Sequence, residues 1–213
     1  MLVVVSILIA LIIRNWYHEG QLNNQIDQTA VQIIEDLTLD TAIVNGVIKH
    51  YEPKETIYKR IMADSMDVDD VKACADCKSL VSLIVTFEPN VIGYTILKEF
   101  DTNLKTEKDS LIHDTKFFYS RFISGIELLN DMIKTDIRSN LNVWKNEKPW
   151  YPNMILGIED ERYYDYIAND PQFRNMATNF YLLIYKNYLN AMRIYVEQAT
   201  VLADRWKTML ERD

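Results

Sequence analysis

Apolar residues form two different patterns in the first part of the chain. Over residues 2–13 every side chain is apolar except Ser6. After Gly20, apolar side chains recur at alternating spacings of three and four, which is typical of a helix that buries one face. Pro53 predicts a break at the end of this helix. The predicted buried face consists of Ile26, Ala30, Ile33, Leu37, Thr41, Val44, Ile48 and Tyr51, and it leaves out Asp36.

The middle of the chain also follows a helical pattern. Ser65 or Asp67 is a candidate N-cap for a helix over residues 68–87. The stretch VSLIVTF is the best candidate for a strand, but it lies inside this pattern, and we therefore predict helix there. Pro89 is suited to the first position of the next helix.

The second half of the chain predicts longer helices. A polar loop is followed by an amphipathic pattern over residues 107–146. A short helix is predicted at 159–168. Asp170 and Pro171 then form a compact start signal for a last helix that runs nearly to the end.

The supply of turn residues favours helices over strands. The chain has only five Gly and five Pro in 213 residues, and a protein with many strands needs such residues repeatedly. We therefore predict an all-α protein with three parts. A transmembrane anchor (1–17) continues into a long amphipathic helix or stalk (18–64), and an antiparallel helical bundle follows (65–213).

The apolar run at the N-terminus is predicted to anchor the chain in a membrane. Residues 2–13 would span about 18 Å as a helix, less than the ~30 Å hydrocarbon core, and the aromatic pair that follows suits the membrane–water interface. No basic segment precedes the run and no cleavage site follows it, which disfavours a signal peptide. A buried core helix remains the alternative. The anchor residues are Leu2, Val3, Val4, Val5, Ile7, Leu8, Ile9, Leu11, Ile12, Ile13, Trp16 and Tyr17.

The formal net charge of −8 limits the range of partners. A nucleic-acid-binding protein needs a basic face to neutralise phosphates, and no Lys/Arg stripe occurs in this sequence. We therefore expect no nucleic-acid partner. The expected partners are the lipid bilayer and another protein, or a second copy of the chain, bound through helices.

Cys74 and Cys77 form the one reactive motif that the sequence offers. A C-x-x-C pair inside a helix most often supplies two small side chains, and we favour that interpretation. A local disulfide, a redox pair and half of a zinc site remain open. The three histidines are scattered and none has a Glu three positions before it, which argues against zinc and di-iron sites. We therefore predict no metal, no cofactor and no enzymatic activity.

Tyrosines are concentrated near the C-terminus. They could line an aromatic pocket or a partner surface, since tyrosine has an apolar body and a polar tip. We favour packing in the core and its rim, because several of them follow the apolar spacing of the last helices. The residues are Tyr163, Tyr164, Tyr166, Tyr181, Tyr185, Tyr188 and Tyr195.

The N-terminal segment LVVVSILIALIIRNWYHE resembles the anchor of an uncharacterised family of small single-pass inner-membrane proteins common in the Bacteroidota. Members carry the pattern LVVIGILIAL-x-I-x-NWN-E. Residues 2–11, Ile13, Asn15, Trp16 and Glu19 match it, with Ser6 in place of glycine, and residues 79–97 and 170–175 fit loosely. The resemblance implies a membrane protein whose helical region has no known catalytic residues.

The same resemblance implies a location. Members have a basic, aromatic lead-in before the anchor, so we expect the natural protein to begin upstream of Met1. Such a lead-in would place the bundle in the periplasm, where a disulfide is favoured, and we favour this side. Arg14 alone would instead place the bundle in the cytoplasm. The leading functional hypothesis is an interaction or accessory subunit of a membrane-associated assembly. The alternatives are a ligand-sensing bundle and a thiol redox protein that uses Cys74 and Cys77.

Overall fold

The computed structural model describes the backbone of residues 2–101 and 106–212, and their side chains at 14, 17 and from Gly20 onward. The fold is 82% helical, and no strand occurs in these ranges. The prediction of an all-α protein is therefore confirmed. The helices are α1 (Leu2–Tyr51), α2 (Glu55–Met62), α3 (Val68–Ala73), α4 (Ile92–Leu97), α5 (Glu107–Glu147), α6 (Tyr151–Leu156), α7 (Glu161–Asn169), α8 (Pro171–Tyr181) and α9 (Leu189–Leu210).

Several helix boundaries follow from residues that the sequence marks. α1 ends at Tyr51, and Pro53 lies in the 3₁₀ turn Glu52–Lys54 that follows. Asp67 caps α3, because its carboxylate accepts the backbone N–H of Asp70 at 2.8 Å and the Asp70 carboxylate accepts that of Asp67. Asp170 caps α8, because its carboxylate accepts the backbone N–H of Gln172 at 2.8 Å, and Pro171 is at the first helical position.

The chain forms two compact units, each assembled from separate segments. Unit 1 comprises Met1–Thr41, Pro89–Phe122 and Glu197–Asp213, and unit 2 comprises Ala42–Glu88 and Ile123–Val196. α1, α5 and α9 each contribute residues to both units. The division into anchor, stalk and bundle stays a prediction.

Unit 1 has a core of helical faces joined by a buried polar contact. Ile33, Leu37 and Phe118 are among its buried residues. The indole of Trp206 donates a hydrogen bond to the hydroxyl of Thr115 at 2.9 Å, and both side chains are fully buried. Pairing the two polar atoms removes the cost of burying them.

Unit 2 has a core rich in aromatic rings. α2 packs against α8, where the rings of Tyr58 and Phe180 are stacked with centroids 6.0 Å apart. α3 packs against α7. The fully buried Trp144 meets Trp150 edge-on at 5.5 Å, a favoured aromatic geometry.

The buried face of α1 differs from the predicted one in its polar members. Asp36 and Asp40 are buried, although the pattern places Asp36 outside the face. Val47 is buried, whereas the predicted Ile48 is only half-buried. Apolar spacing cannot reveal a buried carboxylate, because its burial depends on donors from a distant segment.

The prediction of helix over residues 74–87 is wrong. α3 ends at Ala73, Cys74 has an extended backbone, and only the 3₁₀ turn Cys77–Ser79 follows. Residues 83–91 run without helix, turn or bend. The predicted helix start at Pro89 is wrong as well, because α4 begins at Ile92.

The predicted anchor falls largely outside the described side chains. Among the anchor residues, only Tyr17 has a described side chain, and 66% of its surface is exposed. The backbone of residues 2–17 belongs to α1, which is continuous to Tyr51. In the part of the chain that the structure describes, no helix is long and apolar enough to cross a membrane.

Candidate functional site

Cys74 and Cys77 are joined by a disulfide directly after α3. Cys77 is fully buried and Cys74 is half-buried. The backbone N–H of Cys77 donates to the carbonyl of Cys74 at 3.3 Å, so the bridge closes a tight turn. Cys74 stands at the C-terminal end of α3, where the helix dipole disfavours a thiolate. The arrangement therefore suits a structural clip better than a nucleophilic thiol.

The disulfide leads into a segment, residues 78–87, whose backbone is bound by side chains of unit 2; we call it the tethered segment. The hydroxyl of Tyr163 donates to the carbonyl of Lys78 at 2.5 Å. The hydroxyl of Tyr58 donates to the carbonyl of Leu80. Two buried tyrosines from α7 and α2 thus satisfy the first carbonyls of the segment.

A buried asparagine of α5 binds the segment at its next residue. The amide nitrogen of Asn140 donates to the carbonyl of Val81 at 3.1 Å. Asn140 lies in line with the buried residues Ile133, Ile137 and Trp144 of the same helix. A polar residue at a core position is explained here by the backbone carbonyl that it satisfies.

The hydroxyl of Tyr51 forms hydrogen bonds with both backbone groups of Val85. The hydroxyl accepts the N–H of Val85 at 2.9 Å and donates to the carbonyl of Val85 at 3.0 Å. Tyr51 is the last residue of α1. Its backbone carbonyl in turn accepts the hydroxyl of Tyr185 at 2.8 Å, which fixes its position.

Phe87 is held on both backbone groups as well. Its N–H donates to the hydroxyl of Tyr188 at 2.7 Å, and its carbonyl accepts the amide of Asn130 at 2.9 Å. Tyr185 and Tyr188 both lie in a π-helical stretch, Leu182–Tyr188, between α8 and α9. Two successive odd-numbered residues of the segment, 85 and 87, therefore have both backbone groups paired.

The tyrosines that hold the tethered segment are neutral donors and acceptors. Burial raises the pKa of Tyr51, and it also raises the pKa of Tyr58, Tyr163 and Tyr188 above the usual value of 10. A phenol with a raised pKa keeps its proton at neutral pH. These residues are thus suited to hydrogen bonding and not to proton abstraction.

In unit 1, side chains of α1 also bind backbone groups, here those of residues just before and within α4. The carboxylate of Asp40 accepts the backbone N–H of Asn90 at 3.1 Å and its side-chain amide at 2.5 Å. The carboxylate of Asp36 accepts the N–H of Gly93 at 2.8 Å. A Cβ at Gly93 would come within 2.9 Å of the backbone nitrogen of Ile33, so only glycine allows this approach.

The described residues of unit 1 form a surface groove. It lies between the start of α5 and the end of α9, and we call it the α5/α9 groove. It consists of two adjoining cavities of about 370 and 280 Å³ that share Val201 and Arg205. The lining residues are Glu107, Leu111, Asp114, Phe117, Phe118, Glu197, Gln198, Val201, Leu202, Asp204, Arg205, Thr208 and Arg212.

The α5/α9 groove combines exposed apolar side chains with charged sides. Phe117 is 61% exposed and Val201 is 56% exposed. Arg205 forms an ion pair with Asp114 at 2.9 Å, and Arg212 pairs with Glu107 at 3.2 Å. Such a surface can accept apolar side chains of a binding partner without breaking the core.

The C-terminal tyrosines are in the core or at its rim, as their spacing predicts. Tyr163, Tyr164 and Tyr166 of α7 are buried, and Tyr188 and Tyr195 have no exposed surface. The sequence did not single out Asn130 and Asn140 as binding residues. Their signal was present, since each interrupts the apolar stripe of α5 at a helical spacing.

No family model matches this sequence, and comparisons with curated proteins and with solved structures give no match. The resemblance of the N-terminal segment to a family of inner-membrane proteins therefore stays a prediction.

The role of Tyr51 leads to a direct test. Replacing Tyr51 by phenylalanine removes one oxygen that pairs two backbone groups of Val85. We expect the free energy of unfolding to fall by about 1–3 kcal/mol, since unpaired polar groups lose their compensation. Chemical denaturation of the full chain followed by circular dichroism measures the change.

Tyr151→Phe is the control for this variant, because it removes the same oxygen where that oxygen has no partner. Tyr151 is half-buried, and its hydroxyl forms no hydrogen bond in the described part of the chain. We expect a change within about 0.5 kcal/mol. Equal losses in the two variants would contradict the role assigned to Tyr51.

Proposed function

We propose that the chain is a non-enzymatic, membrane-anchored helical protein that serves as an interaction or accessory subunit of a membrane-associated assembly. The observation that carries this proposal is the α5/α9 groove. Phe117 and Val201 expose large apolar side chains inside a concave surface, which is the usual form of a site that receives the apolar face of a helix.

The charges of the groove favour a particular kind of helix. Arg205 and Arg212 are each paired with a carboxylate of the groove. Glu197 has no ion-pair partner among the described residues, and Asp204 pairs with Lys207 next to the groove at 3.2 Å. The remaining charge of the rim is acidic, so the proposed occupant is an amphipathic partner helix with basic residues beside its apolar face.

The groups that the sequence marked for chemistry have structural roles, which supports a non-enzymatic function. Tyr163 and Tyr188 bind backbone groups of the tethered segment. Cys74 and Cys77 are bonded to each other. Breaking these hydrogen bonds or this disulfide would destabilise unit 2.

The proposed membrane anchor rests on the sequence and on the continuity of α1. Residues 2–13 are almost wholly apolar and form the first turns of a helix that continues to Tyr51. The exposed Tyr17 follows this run, at a position suited to a membrane–water interface. The bundle is proposed to lie in the periplasm, and the disulfide supports an oxidising compartment.

The anchor is tested by placing one charge in the apolar run. We expect Ile9→Arg to reduce the membrane-bound fraction at least about tenfold, because Arg at a helix centre costs ~2.5–3.5 kcal/mol in the bilayer. The measurement is sedimentation of the full chain with membranes after a carbonate wash. Tyr17→Arg is the control, and we expect it to remain in the pellet because arginine is tolerated at the interface. Retention of Ile9→Arg, or a wild type that does not sediment, would contradict the anchor.

The groove is tested by co-purification from detergent-solubilised native membranes. We expect the wild-type chain to elute with a stoichiometric protein that a synthetic peptide of that protein's basic amphipathic helix displaces. Phe117→Asp puts a charge on the floor of the groove and should weaken the interaction by roughly tenfold or more.

Leu128→Asp provides the control for that substitution. Leu128 lies on the same helix as Phe117 and is 62% exposed, but it does not line the groove. We expect this variant to retain the partner. Equal retention by both variants would overturn the groove assignment. A chain that elutes without protein but with a small molecule would favour the ligand-sensing alternative.

A further inference from the structure

The tethered segment has one backbone edge that is fully paired. The N–H and carbonyl of Val85 both bind the hydroxyl of Tyr51. The N–H and carbonyl of Phe87 bind Tyr188 and Asn130. In an extended chain the backbone groups of alternate residues point to the same edge. The side chains of unit 2 therefore replace a neighbouring strand along this edge.

The opposite edge of the segment is unpaired. The backbone groups of Ile84 and Thr86 point away from Tyr51 by the same alternation, and within the described ranges they form no hydrogen bond. The segment lies at the surface, since Leu83 is 68% exposed and Val85 is 39% exposed. Unpaired N–H and carbonyl groups in a row form a template for pairing with another extended chain.

We propose that this edge pairs antiparallel with the same edge of a second copy of the chain. The two-fold axis passes at Val85, which faces Val85 of the second copy. Ile84 then faces Thr86 of the second copy, and Thr86 faces its Ile84. In an antiparallel ladder, both residue pairs are hydrogen-bonded pairs, so every free backbone group of the two residues is used.

The sequence of the segment favours a second copy as the occupant. Residues 79–87 contain no charged side chain, and Ile84, Val85 and Thr86 are β-branched residues that pair well with each other across strands. Proteins usually protect such an edge with charged residues or proline, and here these residues occur only at its two ends, as Lys78 on one side and Glu88 and Pro89 on the other.

The two-fold arrangement also limits the assembly to two chains. A contact that uses the same residues on both partners closes on itself and does not propagate. The pairing uses residues of unit 2, whereas the α5/α9 groove belongs to unit 1. The pairing therefore uses none of the residues that line the groove.

The register of the pairing is tested by cysteine cross-linking of the full chain in detergent. We expect Val85→Cys to form a covalent dimer on mild oxidation, because residues that face each other across the axis have Cα atoms about 4.5 Å apart. Leu83→Cys is the control. Its side chain is more exposed, but its counterpart would lie four residues away along the strand, at roughly 14 Å. We expect at least tenfold less dimer from this variant.

Peptide mapping checks that the cross-link joins position 85 and that the Cys74–Cys77 bridge is intact. Light scattering of the unmodified chain gives an independent readout, with a dimeric mass expected for the wild type. Val85→Lys should yield a monomer, since two like charges would face each other. A monomeric wild type, or equal cross-linking at positions 83 and 85, would overturn the proposal. A monomer whose segment binds a peptide of another protein would overturn it in favour of that occupant.

Discussion

The structure depends on hydrogen bonds from side chains to the backbone of one irregular segment. Residues 78–87 have no helix or sheet of their own beyond a short turn, and the backbone groups of five of them (78, 80, 81, 85 and 87) are bound by tyrosines and asparagines of unit 2. A buried backbone group left unpaired costs about 1–3 kcal/mol. A typical domain is stable by only ~5–15 kcal/mol, so a few lost partners would exceed its stability.

The need to pair these backbone groups explains why the core of unit 2 contains tyrosines and asparagines. A buried tyrosine supplies apolar contact area together with one hydroxyl at a fixed distance, which suits a helix that must reach a neighbouring backbone. Tyr51 and Tyr188 perform this role, and Asn130 and Asn140 perform it from α5. The disulfide lies directly before the segment and restricts the chain there in the unfolded state.

The sequence predicted the helices well, because their signals are local. The cap at Asp67, the break after Tyr51 and the long amphipathic pattern of α5 all depend on residues within a few positions of each other. The tethered segment could not be predicted in the same way. Its hydrogen-bond partners lie tens to a hundred positions away along the chain, as for Phe87 and Tyr188. In addition, a run of β-branched residues is compatible with both a strand and a buried helix.

For the candidate surfaces as well, the sequence shows the residue types but not which residues lie together. The apolar character of Phe117 and Val201 is visible in the sequence, but their exposure beside each other is not, since it depends on how α5 and α9 lie within unit 1. The predicted tyrosine core was accessible to sequence reasoning because spacing along one helix defines it. Asp36 and Asp40 were not accessible, because their donors belong to the residues that precede and begin α4.

Amide hydrogen exchange, resolved by residue after the chain has been diluted until light scattering gives a monomeric mass, tests the central claim most directly. We expect the amides of Val85 and Phe87 to be strongly protected, because they donate hydrogen bonds to the hydroxyls of Tyr51 and Tyr188. The amides of Ile84 and Thr86 should exchange near the rate of an unstructured peptide. Equal exchange at all four positions would contradict the account, since it would show that the two edges of the segment do not differ.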